Sequence, residues 1–297
     1  MLPDFPTITD ISIDLKGDID RCIASEPLEA SEYTFTNLFA FRMAYDFKVS
    51  ALNGNLVVFH GSEAVSAFCP FGGTAMEETL SSVFEYMGRY TESPSLERVP
   101  EKFVETHLMQ SGLYEVREQV GHFDYVYNVS DLIALKGHHY HDKKNKVNKF
   151  RNSYSYEYLS LTPDLIGECM EFEDAWCETR ECDKFPSLGS EKRAIQELLK
   201  NFSTLDLLGG VIRVDNKLSA LTIGERIGDQ LIIHIEKADA EIPGLYQVIN
   251  QEFLMNAAAD CRFVNREQDL GLEGLRHSKS SYHPVKFIKK YRVTLKK

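Results

Sequence analysis

The chain has 297 residues, 43% apolar, 26% charged and 11% aromatic. That length can bury one large core or two ordinary ones, and the composition excludes a disordered or fibrous chain. A formal charge of −12 argues against general nucleic-acid binding, which takes a basic surface to neutralise phosphates.

No apolar run approaches the roughly 20 residues that span a bilayer, and the N-terminus lacks the basic-then-apolar layout of a secretion signal. A cytoplasmic protein with no integral membrane segment is expected. The six cysteines (Cys22, Cys69, Cys169, Cys177, Cys182 and Cys261) form no Cys-x-x-Cys pair, so reduced and mostly buried thiols are expected. Charge is uneven along the chain: residues 1–135 carry a net −13, residues 136–151 a net +5, and the remainder a net −4.

Residues 1–30 read as an acidic extended arm followed by a short helix. Alternation then sets in on both sides of Asn53-Gly54, which predicts a hairpin through a type I′ turn. A third strand is expected from Ala64 to Cys69. The loop Gly72-Gly73-Thr74 opens a helix over residues 75–90, and its glycines suit an anion at a helix N-terminus. The basic segment 136–151 reads as a helix crossing from one half to the other.

The second half repeats this order. Strands flank Asp215-Asn216, a strand over 230–237 follows Gly228-Asp229, and a Pro243-Gly244 loop opens a helix over 245–259. Strand, turn, strand, turn, strand, glycine loop and helix is the core of the N-acetyltransferase (GNAT) fold. The expected fold is therefore α+β with mixed sheets. It comprises tandem GNAT-like domains over 1–135 and 153–297, joined by a basic helix over 136–152.

The strand over 230–237 places His234 and Glu236 on the face opposite Ile233 and Ile235. The next, over 262–269, puts Asn265, Glu267 and Asp269 on one face and Arg266 and Gln268 on the other. Neighbouring strands of this kind splay apart in a GNAT sheet, so these polar groups can converge on an acyl group. A carboxylate there can take a proton from an attacking amine or hold an ammonium group; the alternative is ion pairing with Arg262 and Arg266. Arg276, His277, Lys279, Tyr282 and His283 can bind an anion, and Lys279 and Tyr282 share a helix face. Between Ala238 and Leu245 a single glycine remains where a CoA site needs several, and Asp239 and Glu241 would repel a pyrophosphate. Acetyl-CoA is thus disfavoured, and no cofactor or metal is expected. Lys143, Lys144, Lys146, Lys149 and Arg151 can contact RNA or anionic lipid, or be a solvated helix face against the acidic first half.

Several strings resemble the phosphatidylglycerol lysyltransferase C-terminal family: residues 232–238, the helix start 244–253, and Asn265 through Arg276 to Tyr282. Looser matches are Tyr125-Val-Tyr, Leu135-Lys-Gly, the run 141–150 and Gly209-Gly210. The resemblance implies a tandem GNAT fold related to peptidoglycan-branching peptidyltransferases. It also implies a charged tRNA as donor and an amine or lipid hydroxyl as acceptor. Under it, Asp269, Glu267, Glu236 and Lys279 are the expected catalytic residues. His234, Tyr246, Asn250, Asn265, Arg276 and Tyr282 are the expected substrate-binding residues, and residues 143–151 hold the donor's phosphates. Lipid-modifying members carry an integral membrane domain ahead of this region; a stand-alone member with a small-molecule or peptide acceptor is expected here. A CoA-dependent N-acetyltransferase and a non-catalytic module for anionic ligands are the alternatives.

Overall fold

The computed structural model describes every residue except Ser62, Ala64 and Lys297. Contacts divide the chain into two compact units, Met1–Asp124 with Ile288–Lys297, and Tyr125–Phe287.

The first unit opens with β1 (Thr9–Asp10), α1 (Lys16–Ser25) and α2 (Phe35–Phe41), followed by β2 (Phe47–Leu52) and β3 (Asn55–His60). Asn53 and Gly54 take φ of 54° and 77°, the left-handed pair that a type I′ turn requires, so the hairpin stands as expected. Ala64, where the third strand was expected to begin, lies outside the described residues; β4 covers Ser66–Ala67. Next come α3 (Met76–Met87), β5 (Ser95–Pro100), α4 (Glu101–Phe103) and β6 (Tyr114–Glu118). Val83, Phe84, Phe59, Phe68 and Leu96 are fully or nearly fully buried, so α3 and the sheet supply this unit's core.

The second unit begins in β7 (Asp124–Asn128) and runs through α5 (Val129–Ala134), α6 (His141–Ser153), β8 (Tyr156–Ser160), α7 (Ile166–Thr179) and α8 (Pro186–Lys200). The meander β9 (Leu208–Val214), β10 (Lys217–Ile227) and β11 (Gln230–Ala238) leads into α9 (Leu245–Ala257). Then follow β12 (Phe263–Asn265), α10 (Glu273–Ser280) and β13 (Lys286–Ile288). The last strand, β14 (Lys290–Leu295), belongs to the first unit.

The sheet orders are β1-β2-β3-β4-β5-β14-β6 and, reversed, β8-β9-β10-β11-β12-β7-β13. β4 runs parallel to β5 and β11 parallel to β12, each pair bridged by a helix, α3 or α9. The repeat expected from the element order is thus present in both sheets. Each sheet takes its sixth strand from the far end of the other half: β14 pairs with β5 and β6, and β7 pairs with β12. For that reason the units divide at residue 124 and again at 288, not at 135 and 153. Nor does the basic helix span between units. Val147 and Phe150 of α6 are buried with Leu245, Val248 and Ile249 of α9, inside the second unit.

One cysteine expectation is corrected. Cys177 and Cys182 form a disulfide, with Cα atoms 5.1 Å apart. Helix α7 ends between them, and Glu181 at φ 52° turns the chain back so that Cys182 faces the helix. Cys22, Cys69, Cys169 and Cys261 are free thiols, the last three buried.

Candidate functional site

The pairing of β10 with β11 shifts by one residue: Ile223 faces Ile235 and Gly224 faces Ile233, which leaves His234 as the extra residue of a bulge. Gly224 is required opposite it, because a Cβ there would stand 2.3 Å from the Ile232 carbonyl oxygen. The bulge switches faces. Before it, Leu231 and Ile233 pack with Phe253 and Leu254 of α9; beyond it, Ala238 packs on that helix and Glu236 bonds to it. His234 and Glu236 therefore lie on opposite faces of β11, contrary to the expectation of a shared one.

Two polar groups result. On the α9 face, Glu236 accepts hydrogen bonds from Asn250 Nδ2 at 2.9 Å and Arg266 Nη2 at 2.7 Å. The Arg266 guanidinium lies 4.8 Å from the centre of the Tyr282 ring, and its Nη1 is buried without a hydrogen-bond partner among the described residues. On the opposite face, His234 stands between Glu267 and Glu225, 2.8 Å from each. Burial opposes charge on this imidazole, but the two carboxylate hydrogen bonds outweigh it and push the pKa up to about 10. It is an imidazolium locked in an ion triad. Asn265 shares this side and accepts from the Glu267 amide at 2.8 Å.

The strand expected over 262–269 is shorter. β12 ends at Asn265, and Glu267 and Leu270 at φ near 54° and 55° turn the chain. Asp269 consequently leaves the strand face. Its buried carboxylate accepts from Tyr125 at 2.7 Å, from Arg276 at 2.7 and 3.1 Å, and from the Gly271 amide at 2.7 Å. Burial alone would raise its pKa, but these donors hold it below the ordinary carboxylate range. Arg276 is thereby tied to Asp269. Lys279 donates to the main-chain carbonyls of Arg266 and Glu267, which pins the segment leaving β12. Tyr282 lies just beyond α10, its hydroxyl pushed up to about 12 by burial.

The basic segment is divided by burial. Lys144, Lys149 and Arg151 are exposed, and Arg151 pairs with Glu252 at 2.7 Å. Lys143 is buried, its Nζ 4.4 Å from the centre of the Tyr282 ring. Lys143 and Lys146 line a cavity of about 400 Å³ together with Gln247, His139, His277 and His283. Of this lining, His277 and His283 belong to the anion-binding cluster expected from the sequence, whereas His139 and Gln247 were not singled out; Gln247 lay within the helix-start string but gave no separate signal.

The glycine loops have packing roles. The Gly72 amide donates to Glu26 and the Gly73 amide to Asn55, each at 3.0 Å, so the expected anion position in the first unit is filled by the protein's own oxygens. Gly244, at φ 91°, sits so close to α6 that a Cβ would be 2.7 Å from the Lys146 carbonyl oxygen. Tyr246, two residues on, is half-buried and in contact with Trp176. Trp176 also lines a cleft of about 600 Å³, with Asp239 and Glu241 on its edge. No cluster of His, Cys, Asp or Glu among the described residues is arranged to hold a metal ion. No helix among them is long and apolar enough to cross a membrane.

This geometry can be set beside known proteins. A conserved protein of unknown function from Bacteroides thetaiotaomicron is 32% identical, with all of both chains covered and a TM-score of 0.88. The structure of L-PGS from Bacillus licheniformis is 12% identical, covering 94% of this chain and 91% of that one, with a TM-score of 0.64. A tandem GNAT protein from the clavulanic acid biosynthesis pathway is 10% identical, covering 98% of each chain, with a TM-score of 0.50. The last two establish the fold as a tandem GNAT-like one. No curated protein matches the sequence. The family described as phosphatidylglycerol lysyltransferase, C-terminal, matches residues 25–294, which include the second sheet, the first from β2 onward up to Thr294, the bulged strand and Tyr282; the chain belongs to that family.

Proposed function

We propose that this protein is an aminoacyltransferase that moves an acyl group from a charged tRNA to an amine or hydroxyl of a small molecule or peptide. The observation that carries this reading is the Asn250–Glu236–Arg266 group, held on the α9 face where β11 and β12 diverge. In it, Glu236 accepts the proton of the attacking amine as nitrogen bonds to the ester carbonyl carbon. Arg266 Nη1, free to donate, meets the oxygen on which negative charge develops. Glu236 then returns that proton to the departing ribose oxygen as the ester bond breaks. His234, Glu267 and Asp269 act by positioning these groups, since each is already saturated by partners. The acidic cleft edge and the packed Gly244 weigh against acetyl-CoA as donor. A charged-tRNA donor places the reaction in the cytoplasm.

The test is transfer of a radiolabelled amino acid from charged tRNA by the purified chain to a panel of amines, peptides and phosphatidylglycerol. Transfer by the wild type, reduced about a hundredfold or more in Glu236→Gln, is expected. Absence of transfer to every acceptor, or full activity in Glu236→Gln, would overturn the reading.

A further inference from the structure

Lys143 is 7% exposed and points its Nζ at the face of Tyr282, 4.4 Å from the ring centre. Among the described residues no carboxylate forms an ion pair with it. A buried ammonium is costly unless it is paired, because removal from water penalises the charged form. Here burial, then Lys146 and Arg266, all press its pKa down. The second cation on the same ring, Arg266, has one carboxylate partner, Glu236, and one unbonded nitrogen. Two cations therefore face one tyrosine ring, and only Arg266 has a carboxylate partner.

Lys143 opens into the cavity of about 400 Å³ between α6, the start of α9 and the end of α10. That size is within the range of small-ligand sites. Its polar lining is dominated by donors: His139, Lys146, His277, Ser278 and His283. Asp142, at the rim, is engaged by Lys146 at 3.7 Å. The His139 and His283 rings are 4.9 Å apart, so part of the lining is a pair of imidazoles.

We infer that this cavity is a phosphoryl-binding site, with Lys143 as its buried anchor and His139, His277 and His283 completing the shell. The shared chemistry is a phosphate mono- or diester, carried either by the end of a nucleic acid or by a lipid headgroup. The inference deepens the transferase reading, because it gives a phosphate-bearing substrate a defined seat beside Tyr282. It separates Lys143 from the exposed Lys144 and Lys149, which remain in solvent. Binding is measured without transfer, so the two readings can fail independently.

The full chain is titrated calorimetrically with inorganic phosphate, AMP and glycerol 3-phosphate. At least one should bind with a Kd of about 1 mM or tighter. Lys143→Met should weaken it about tenfold or more, the loss of one charge-assisted contact, whereas Lys144→Met should change it less than about twofold. Lys143→Arg, which keeps the charge, should restore part of the affinity and shows that loss in Lys143→Met is not misfolding. Preference for AMP supports the site with a nucleic-acid source, and preference for glycerol 3-phosphate supports it with a lipid source. No binding by any of the three, or equal binding by Lys143→Met and Lys144→Met, overturns the proposal.

Discussion

The imidazole of His234 owes its charge to two carboxylates, and that makes the protein's stability depend on pH in a stated direction. Its folded pKa, about 10, is raised above the unfolded value of 6.5. The contribution is complete below the unfolded value and is lost as pH rises through the folded one. His234→Gln should therefore cost about 3 kcal/mol at pH 6, where it leaves Glu225 and Glu267 facing a neutral amide. The difference from the wild type should shrink toward zero above pH 10. Urea unfolding of both proteins at the two pH values measures it, and a constant difference would refute the triad's role. At this scale the sequence was informative about which residues matter and less so about their company. Glu236, Asn250 and Tyr282 do lie around one buried guanidinium. Asp269 and Glu267 were legible as carboxylates near the site, but their partners, Tyr125 and His234, come from strands 144 and 33 positions away along the chain. No local pattern reports such pairs.

At the scale of the element, alternation predicted the strand 230–237 and could not predict its bulge. The run Leu231, Ile232, Ile233 is apolar on both faces, so a one-residue shift leaves the pattern unchanged to the eye. Gly224 is the better signal, since glycine inside a strand marks a close backbone approach. Gly224→Ala should force the Ile232 carbonyl away and cost about 3 kcal/mol. Gly17→Ala in α1, with nothing within 4 Å of the added Cβ, should instead stabilise by up to about 1 kcal/mol. Denaturant midpoints of the two variants check this contrast; equal effects would mean that the bulge yields freely. The shorter β12 has a comparable cause. Left-handed φ at Glu267, a residue that seldom takes it, is imposed by pairing and not by local preference.

Across the whole molecule, the repeat of strand, strand, strand and helix was legible because each step is local. The exchange of sixth strands was not, because pairing such as Thr294 with Ser95 joins distant positions that no periodicity connects. The first unit depends on it through charge as well as through hydrogen bonds. Lys290 of β14 is fully buried and bonds to Asp124 at 2.6 Å and to Glu32, whose carboxyl is pushed up in pKa by that burial. Lys290→Met should cost about 3 to 5 kcal/mol by leaving two carboxylates buried without their cation. Truncation after Phe287 should unfold the first unit while leaving the Tyr125–Phe287 fold, a result that limited proteolysis with mass spectrometry can read.

The exchanged strand also fixes an order of events during synthesis. Domains usually fold from the N-terminus as they emerge from the ribosome. Here β5 and β6 are made early, and the strand that must lie between them follows every other described strand of both sheets. Until β14 emerges, the nascent first sheet carries open edges at β5 and β6 and an acidic pocket without its lysine. Such a chain gains from a holdase or from slow early folding, because exposed strand edges recruit neighbours.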